Sequence, residues 1–422
     1  MSTALLTDLY ELTMAQSFLE HGKTGRAVFS ISVRTMPPER NFLVSCGLDS
    51  LIRYLTTFTF TAEDISYLRS LDKFTDDFLT WLSSFRFSGD VIAVPEGRIV
   101  FESEPLVRIE GSLPEVQILE TIALNLIHHQ TVIASKAARM MAVSRGHGLV
   151  DFGLRRAHGP EGGTYAARAT YIAGFLGTSN VEAGRLYGIP VSGTMAHSYV
   201  LVFPSEEEAF RAYIKTFPDD PVLLIDTYDT MAGVATAARL ATEGLPVSAV
   251  RIDSGDIASI VPQVRQYLDE HGHSHIRIIA TGGVDEHDID RWLQAGIPID
   301  SFGVGTKLLT SSDIPFLDMT YKLVEYEGIP RSKTSPGKVT IPGRREIYRY
   351  YNDEGLMDHD EISTETTGKS GEKLLETVIQ NGNLTGFDTS LEQSRERFRH
   401  DVNRLPVGMK GLTQNRYRVI IR

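Results

Sequence analysis

The amino-acid sequence predicts an α/β protein in which an irregular, TIM-like α/β barrel is joined to a discontinuous α+β domain built from the N-terminal and C-terminal segments. Short apolar runs, each followed by a helical segment, recur from about residue 150, as in βα repeats. Glycine-rich turns end the last two runs, and the segments on either side mix helices with short strands. We expect an N-terminal domain over residues 1–114, completed by 318–422, and a barrel over 115–317.

Composition narrows the class of protein. The chain has 422 residues, of which 42% are hydrophobic, enough for a large core and two domains. Its formal charge of -12 argues against a nucleic-acid partner, because phosphate contacts need clustered Lys and Arg. A single cysteine, Cys46, excludes an internal disulfide framework and a thiolate metal site within one chain. Since the sequence shows neither a basic-apolar leader nor an apolar run of about 20 residues, we expect a cytoplasmic protein without a membrane partner.

Local periodicity in the first third predicts helices and strands together. Residues 7–21 have helical spacing, with Thr7 expected to cap that helix and Tyr10 to pack in the core. Residues 27–33, AVFSISV, alternate with period two, as a strand does. A small antiparallel sheet should follow over 89–113. The next segments should be a long helix over 115–143 and, after residue 316, strands and turns that include RSKTSPGK (331–338) and a charged helix over 390–405.

Five apolar runs predict parallel strands. They begin near residues 190, 222, 247, 276 and 299 and end in GTMAH (193–197), DTYDT (226–230), DSGD (253–256), TGGVDE (281–286) and GVGT (303–306). The runs VLLID, AVRID and IRIIA are continuously apolar, as strands buried on both faces require. A doubly wound sheet shows the same alternation, but glycine loops after the last two strands favour a barrel, where such loops commonly bind phosphate.

The last two turns predict a phosphate site. Glycine lets the backbone approach a ligand closely, and in GVGTKL a hydroxyl and the Lys307 ammonium follow the glycines. A tight turn is the alternative for a lone GxG pattern. Because TGGVDE lies one βα unit upstream, phosphate binding is favoured. The predicted contacts are Gly282, Gly283, Gly303, Gly305 and Thr306.

Charged side chains follow other strands at the same predicted rim. Arg251 and Asp253 share a strand face, where an Arg can fork onto a carboxylate or phosphate; helix capping and an ion pair are the alternative. The adjacent Arg155 and Arg156 of DFGLRRAHGPEGG would face opposite ways in a strand, so at most one should point into the site. An imidazole at His197 suits a general base or a nucleophile that accepts a phosphoryl group.

Taken together, seven blocks closely resemble the nicotinate phosphoribosyltransferase family of NAD salvage. They follow the family's order from residue 5 to about 310: LLTDLYELTMA (5–15), DFGLRRAHGPEGG (151–163), TSNVEAG (178–184), VSGTMAHS, LLIDTYDT, VRIDSGD and FGVGTKL. The resemblance implies that nicotinate reacts with 5-phosphoribosyl 1-pyrophosphate to give nicotinate mononucleotide and pyrophosphate. It also implies a ligase-type reaction coupled to ATP, with Mg²⁺ accompanying the pyrophosphate and no direct protein ligand to the metal expected.

The same resemblance assigns roles at matching positions. It makes His197 the histidine that ATP phosphorylates. The nicotinate site takes Tyr10, Thr194, Arg251 and Arg155, and the phosphoribosyl site takes Gly303, Gly305 and Thr306. By their chemistry, Asp226 and Asp253 are suited to orient the ribose hydroxyls or Mg²⁺. The resemblance also implies a homodimer with its sites near the subunit interface, where the neighbouring chain would contribute Tyr10. The sequence differs from the family pattern at the double glycine of TGGVDE, and the resemblance becomes weaker beyond about residue 320.

Three alternatives stay open at this point. Nicotinamide and quinolinate phosphoribosyltransferases share the barrel, although TDLYELTM with Thr194 and His197 favours nicotinate. A barrel lyase or aldolase would want a strand-end Schiff-base lysine, and residues 222–225 and 247–250 contain none. A phosphosugar-binding protein without turnover would have kept only the anion loops.

Overall fold

Two compact units make up the chain in the computed structural model, which describes residues 4–333, 341–365 and 368–422. The first unit is Met1–Ser135 with Phe316–Arg422, and the second unit is Lys136–Pro315. Our expected boundaries at residues 114 and 317 stay a prediction. Of the segment RSKTSPGK, residues 334–338 lie outside the described residues.

The elements up to residue 143 include the predicted helix and strands. In chain order they are α1 Leu9–Glu20, β1 Arg26–Val33, β2 Leu43–Val44, α2 Leu48–Thr57, α3 Ala62–Ser70, α4 Asp76–Ser83, β3 Asp90–Ala93, β4 Ile99–Val100, β5 Pro105–Ser112, α5 Leu113–Gln117 and α6 Glu120–Val143. The long helix expected from residue 115 is therefore two helices.

Strands and helices alternate through the second unit. They are β6 Gly148–Asp151, a 3-10 turn Leu154–Arg156, α7 Pro160–Ile172, β7 Gly177–Thr178, α8 Val181–Tyr187, α9 His197–Leu201, α10 Glu206–Thr216, β8 Val222–Leu224, α11 Thr230–Thr242, β9 Ala249–Ile252, α12 Ile257–Glu270, β10 Arg277–Ala280, α13 Glu286–Gln294, β11 Ser301–Val304 and α14 Thr306–Leu309.

Short strands dominate the C-terminal segment, as expected. They are β12 Met319–Tyr326, β13 Ile329–Pro330, β14 Glu346–Tyr351, β15 Met357–Ser363, β16 Glu372–Lys373, β17 Glu376–Gln380, β18 Asn383–Leu384 and β19 Arg418–Ile421, with the helix α15 Leu391–Arg404 before β19. A second 3-10 turn, Val407–Met409, follows α15.

Both ends of the chain contribute strands to the seven-stranded sheet of the first unit. Its order is β13-β12-β1-β5-β3-β17-β18, and β1 pairs antiparallel with β12 and with β5. The alternation of AVFSISV is confirmed as a strand, in which Ile31 and Val33 are fully buried. The Phe29 ring stacks on Tyr321 of β12 with 4.7 Å between ring centroids. Two smaller sheets, β16-β14-β15-β19 and β2-β4, complete this unit.

A six-stranded parallel sheet, in the order β7-β6-β11-β10-β9-β8, forms the core of the second unit. Leu223, Val250 and Ile278 are fully buried on adjacent strands, as continuously apolar runs predict. The prediction of a strand near residue 190 is wrong. The structure has an isolated parallel bridge there, between Val191 and Thr178, since Pro190 has no N–H to donate to a ladder.

The mixed α/β class is confirmed, and the parallel sheet is curled. Among the described strands, β7 and β8 stand at the two ends of the order, so closure into a barrel stays a prediction. Because the strands run parallel, the turns after them lie along one edge. Asp229, Asp256 and Asp285 in these turns accept backbone N–H groups at the starts of α11, α12 and α13. Within the described residues, no helix is both long and apolar enough to cross a membrane.

Candidate functional site

A cavity of about 710 Å³ opens at the carboxyl edge of the parallel sheet, and second-unit residues line it. The lining residues are Phe152, Gly153, Leu154, Arg155, Arg156, Ser179, Gly193, Thr194, Met195, Ala196, His197, Arg251, Asp253, Thr281, Gly282, Gly283, Gly303, Gly305 and Thr306. Every site residue predicted from the sequence is among them except Tyr10 and Asp226. The turns after five different strands therefore converge on one concave surface, the usual place for a ligand in parallel α/β folds.

The glycine turns pack too closely for side chains. At Gly282 the backbone φ is +88°, and an added Cβ would lie 1.8 Å from the Asp253 carbonyl oxygen. A Cβ on Gly303 would lie 2.5 Å from the Phe152 ring. Tight packing is therefore sufficient to explain why glycine stands at these two positions. The same absence of side chains exposes backbone groups to the cavity, as anion binding requires.

Arg251 of β9 reaches the cavity from a mostly buried position, with 13% of its side chain exposed. Its Nη2 donates to the Met195 carbonyl at 2.9 Å, and its Nη1 lies 3.8 Å from Asp253 Oδ1. Within the described residues, Nε is buried without a hydrogen-bond partner. Burial lowers the pKa of Arg251, and Asp253 and Asp226 oppose that shift. A carboxylate in the cavity would supply the missing acceptor.

His197 begins α9 and is partly exposed. Its Nδ1 lies 3.2 Å from Thr227 Oγ1, and its Nε2 lies 4.0 Å from Asp253 Oδ2. The preceding turn is tied to the sheet, because the Thr194 hydroxyl donates to the Val222 carbonyl at 2.6 Å. The imidazole is thus oriented through Nδ1 while Nε2 faces a carboxylate, an arrangement suited to carrying a positive charge or a phosphoryl group.

Asp226 lies behind the rim. Its Oδ2 accepts the Asp253 backbone N–H at 2.9 Å and the Ser254 hydroxyl at 2.6 Å, which ties the turn after β8 to the turn after β9. Its Oδ1 is buried without a hydrogen-bond partner among the described residues. Asp253 accepts a hydrogen bond from the Thr281 hydroxyl. Hydrogen bonds therefore connect these two carboxylates in one row along the turns after β8, β9 and β10.

Glu206 is a neighbour of this row that the sequence did not single out. It begins α10 and is half-buried. Burial, with the negative charges of Asp226 and Asp229, raises the pKa of Glu206 to about 7. In the sequence it is the first of three consecutive glutamates after Ser205, a pattern typical of a solvated helix start. No local signal distinguishes it from its two neighbours.

Both adjacent arginines line the cavity, so the expectation that at most one would point into the site is wrong. Alternation holds for strands, whereas Leu154–Arg156 forms a 3-10 turn. The Arg156 Nη1 donates to Thr306 Oγ1 at 3.1 Å. Lys307, whose ammonium follows the glycines in GVGTKL, donates to Asp285 Oδ2 at 2.6 Å and is absent from the cavity lining.

Tyr10 belongs to the first unit. About 45% of its surface is exposed, so the core-packing expectation is wrong. Thr7 does not cap α1, whose N-cap is Asp8; its hydroxyl donates to Glu11 Oε2 at 2.7 Å. Burial and the charge of Glu120 raise the pKa of Tyr10.

In the part of the chain that the structure describes, no group of three or more His, Cys, Asp or Glu side chains could hold a metal ion.

Comparison with known families gives matches over most of the chain. A model described as the nicotinate phosphoribosyltransferase N-terminal domain matches residues 5–128, and the nicotinate phosphoribosyltransferase family model matches residues 147–327. The nicotinate phosphoribosyltransferase pncB2 of Mycobacterium tuberculosis is 43% identical over 98% of this chain and 90% of its own length. The nicotinate phosphoribosyltransferase of Bacillus subtilis is 40% identical over 83% of this chain and 74% of its own length.

Solved structures show the same fold. The crystal structure of human nicotinic acid phosphoribosyltransferase superposes with a TM-score of 0.86 at 27% identity, covering 98% of this chain and 97% of that one. The nicotinate-nucleotide pyrophosphorylase of Pyrococcus furiosus superposes with a TM-score of 0.78 at 23% identity over 95% of each chain, a likeness of fold alone.

Proposed function

Because the chain belongs to the nicotinate phosphoribosyltransferase family, we propose that it converts nicotinate and 5-phosphoribosyl 1-pyrophosphate to nicotinate mononucleotide and pyrophosphate, for NAD biosynthesis. We propose further that ATP hydrolysis is coupled to this transfer through a phosphohistidine at His197. The observation that carries the proposal is the convergence of Arg251, His197 and the glycine turns on a single cavity. One cavity thus offers places for a carboxylate, a transferable phosphoryl group and a ribose phosphate.

The transfer needs positioning more than proton chemistry. The pyridine nitrogen already carries a lone pair, so it attacks C1 of the ribose as the bond to pyrophosphate breaks, and no general base is required. Positive charge develops on the sugar and negative charge on the leaving group. The glycine turns and Thr306 would hold the 5-phosphate, and Asp253 and Asp226 would orient the ribose hydroxyls or Mg²⁺.

The unpaired carboxylate oxygen of Asp226 fits a role near a cation, because a buried acceptor without a donor is costly. Mg²⁺, when bound with pyrophosphate, would neutralise charge on the leaving group. Asp226 and Asp253 are the residues that would face it.

Arg251 supports a preference for nicotinate over nicotinamide. Its Nε has no acceptor among the residues that the structure describes and its Nη2 donates to the Met195 carbonyl, so the guanidinium is held in place to meet a carboxylate. A neutral carboxamide would leave that charge without compensation. Arg155 adds a second positive charge at the same rim, where it opposes the protonation of Arg251.

His197 supports the energy coupling. In the tautomer that donates from Nδ1 to Thr227, the Nε2 lone pair is free to attack the γ-phosphorus of ATP. An Nε2–P bond would form as the bond between that phosphorus and the ADP oxygen breaks, and water would later hydrolyse the phosphohistidine. Asp253, 4.0 Å from Nε2, would stabilise the positive charge that the ring carries between these steps.

The same proposal includes the finer structural expectations. We propose that the curled sheet closes as a TIM-like barrel beside a discontinuous α+β domain. We also propose that the protein works in the cytoplasm as a homodimer, in which Tyr10 of one chain reaches the nicotinate site of the other.

A single assay tests the activity. The protein is incubated with 5-phosphoribosyl 1-pyrophosphate, Mg²⁺ and either nicotinate or nicotinamide, with and without ATP, and pyrophosphate release is followed. We expect release with nicotinate and stimulation by ATP. A preference for nicotinamide would overturn the assignment, and binding of the phosphosugar without any release would indicate a binding protein instead.

A further inference from the structure

A fully buried carboxylate lies beneath the cavity and takes no part in the chemistry above. Asp151 ends strand β6, has no exposed surface and does not line the cavity. Its Oδ2 accepts the Thr178 hydroxyl at 2.7 Å, and its Oδ1 accepts the Gly153 backbone N–H at 2.8 Å. Among the described residues no cation pairs with Asp151, and burying a carboxylate in this way is costly; burial raises the pKa of Asp151. A group retained at such a cost is a candidate for a specific role.

The Thr178 hydrogen bond joins the ends of neighbouring strands, and the Gly153 hydrogen bond holds the turn that follows Asp151. Thr178 ends β7, and the Ser179 N–H donates to the Asp151 carbonyl at 2.8 Å. The Thr178 hydroxyl also accepts the Asn180 N–H at 3.0 Å, and Asn180 caps α8 by accepting the Ala183 N–H at 3.1 Å. Asp151 and the Thr178 hydroxyl therefore form the centre of a buried network that fixes both turns.

The turn held through Gly153 is the one that carries Arg155 and Arg156. It interlocks with the glycine turn after β11: the Phe152 N–H donates to the Val304 carbonyl at 2.8 Å, and a Cβ on Gly153 would lie 2.9 Å from the Gly305 carbonyl oxygen. Because these backbones touch, a small shift at Gly153 would displace the phosphate turn and the arginines together.

We propose that Asp151 is a positioning residue for phosphoribosyl transfer, which together with Thr178 sets the 152–156 turn so that Arg155, Arg156 and the Gly303–Thr306 turn bind the phosphosugar in register. The inference rests on the proposed function for its substrate. It assigns Asp151 no contact with that substrate. Its effect passes through two hydrogen bonds, so a variant that keeps the shape but loses an acceptor should misplace the turn.

The test compares isosteric variants. Asp151→Asn loses an acceptor for one of the two donors, and Thr178→Val loses the hydroxyl while Thr178→Ser keeps it. We expect Asp151→Asn and Thr178→Val to lower kcat/KM for 5-phosphoribosyl 1-pyrophosphate by about 10- to 100-fold, mainly through KM, since small misplacements of binding groups have effects of this size. Because Thr178→Ser keeps the hydroxyl, its KM should stay within about threefold of the wild-type value.

Matched controls separate positioning from lost stability. Thr170→Val removes another buried threonine hydroxyl, which donates to the Ala167 carbonyl within α7 at 3.0 Å. Asp300→Asn alters a carboxylate that accepts the Ile278 N–H at 2.6 Å at the opposite edge of the same sheet. Both should keep the wild-type KM whatever they do to the melting temperature. An unchanged KM in folded Asp151→Asn or Thr178→Val would overturn the inference, as would a Thr178→Ser variant as defective as Thr178→Val.

Calorimetry keeps this inference separate from the proposed activity. Binding of 5-phosphoribosyl 1-pyrophosphate with Mg²⁺ is measured for the same variants without nicotinate, and we expect the dissociation constant to follow the KM series. A wild-type chain that binds the phosphosugar but does not convert nicotinate would overturn the proposed function alone. Equal binding by wild type and both hydrogen-bond variants would overturn the positioning role. Absence of binding by wild type would overturn both. If Asp151→Asn does not fold, the Thr178 pair decides the outcome.

Discussion

His197 Nε2 lies 4.0 Å from Asp253 Oδ2, close enough for the carboxylate to stabilise a charged imidazole but too far for a direct hydrogen bond. Asp253 lies in turn beside Arg251, whose Nη1 is 3.8 Å away. The Asp253 carboxylate thus faces both His197, the proposed phosphoryl acceptor, and Arg251, the residue proposed to bind nicotinate. The proposed energy-coupling and nicotinate-binding parts of the site would therefore share the Asp253 carboxylate.

Replacement of His197 should uncouple ATP without abolishing transfer. His197→Ala leaves the pyridine attack intact, because no proton transfer is needed, but removes the phosphoryl acceptor. We expect loss of ATP stimulation and of phosphoenzyme labelled by γ-³²P-ATP, with basal pyrophosphate release retained. His271→Ala, an exposed histidine at the end of α12, is the control and should keep both. ATP stimulation that survives in His197→Ala would refute the phosphohistidine.

Replacement of Arg251 should erase the preference for nicotinate. Arg251→Gln removes the charge that would pair with the carboxylate, and hydrogen bonds to charged groups contribute about 1.5–3 kcal/mol. We expect the ratio of kcat/KM for nicotinate over nicotinamide to fall about 10- to 100-fold. Arg277→Gln, a half-exposed arginine on the adjacent strand β10, should leave that ratio unchanged. If the ratio stays at its wild-type value in Arg251→Gln, another group recognises the carboxylate.

Local pattern was sufficient to predict most of the parallel sheet. Buried parallel strands are continuously apolar, so the runs at Leu223, Val250 and Ile278 were visible without knowledge of their neighbours. The prediction of a strand near residue 190 was wrong because Pro190 has no N–H to donate to a strand ladder. The apolar character of the run carries no information about backbone hydrogen bonding. Glycine turns likewise marked the rim, since close backbone approach leaves a signature in the residue type.

Partners distant in sequence were beyond such reasoning. Lys307 follows the glycine turn and looks like a phosphate ligand, but its ammonium group pairs with Asp285 of another turn. Asp151 stands in a motif beside conspicuous arginines, and its hydrogen-bond donor Thr178 lies 27 positions away in the sequence. Side-chain direction in a turn also escapes the period-two rule, which misjudged Arg156.

Glu206 should make stability depend on pH near neutrality. Its pKa is raised to about 7 in the folded chain, from 4.5 for the free group, so the folded state holds a proton that the unfolded state has lost between those values. Stability from this group is therefore fully present below about pH 4.5 and is lost as pH rises through about 7.

Glu206→Gln mimics the protonated carboxyl and should remove this dependence. We expect the variant to melt at a higher temperature than wild type at pH 8, and the difference to shrink as the pH falls to 5. Differential scanning calorimetry across that range provides the measurement. Glu208→Gln on the same helical turn is the control and should follow the wild-type profile. A Glu206→Gln variant that is equally destabilised at both pH values would contradict the burial of an uncharged carboxyl.

Glu286 should be a major determinant of the stability of the second unit. It is fully buried at the start of α13, where it accepts from Lys136 Nζ at 2.6 and 2.8 Å and from Arg139 Nε at 2.9 Å. Asp313 lies 2.9 Å from Lys136 as a second anion. Removing one partner of a buried ion pair leaves uncompensated charge, which typically costs about 3–5 kcal/mol.

Glu286→Ala should therefore lower the free energy of unfolding by about 3–5 kcal/mol in urea titrations. Glu270→Ala, at the exposed end of α12, should change it by less than about 0.5 kcal/mol. Since α13 directly follows the Gly282–Gly283 turn, Glu286→Ala should also raise the KM for the phosphosugar. A stability loss below about 1 kcal/mol would show that water or rearranged neighbours can solvate the two cations at little cost.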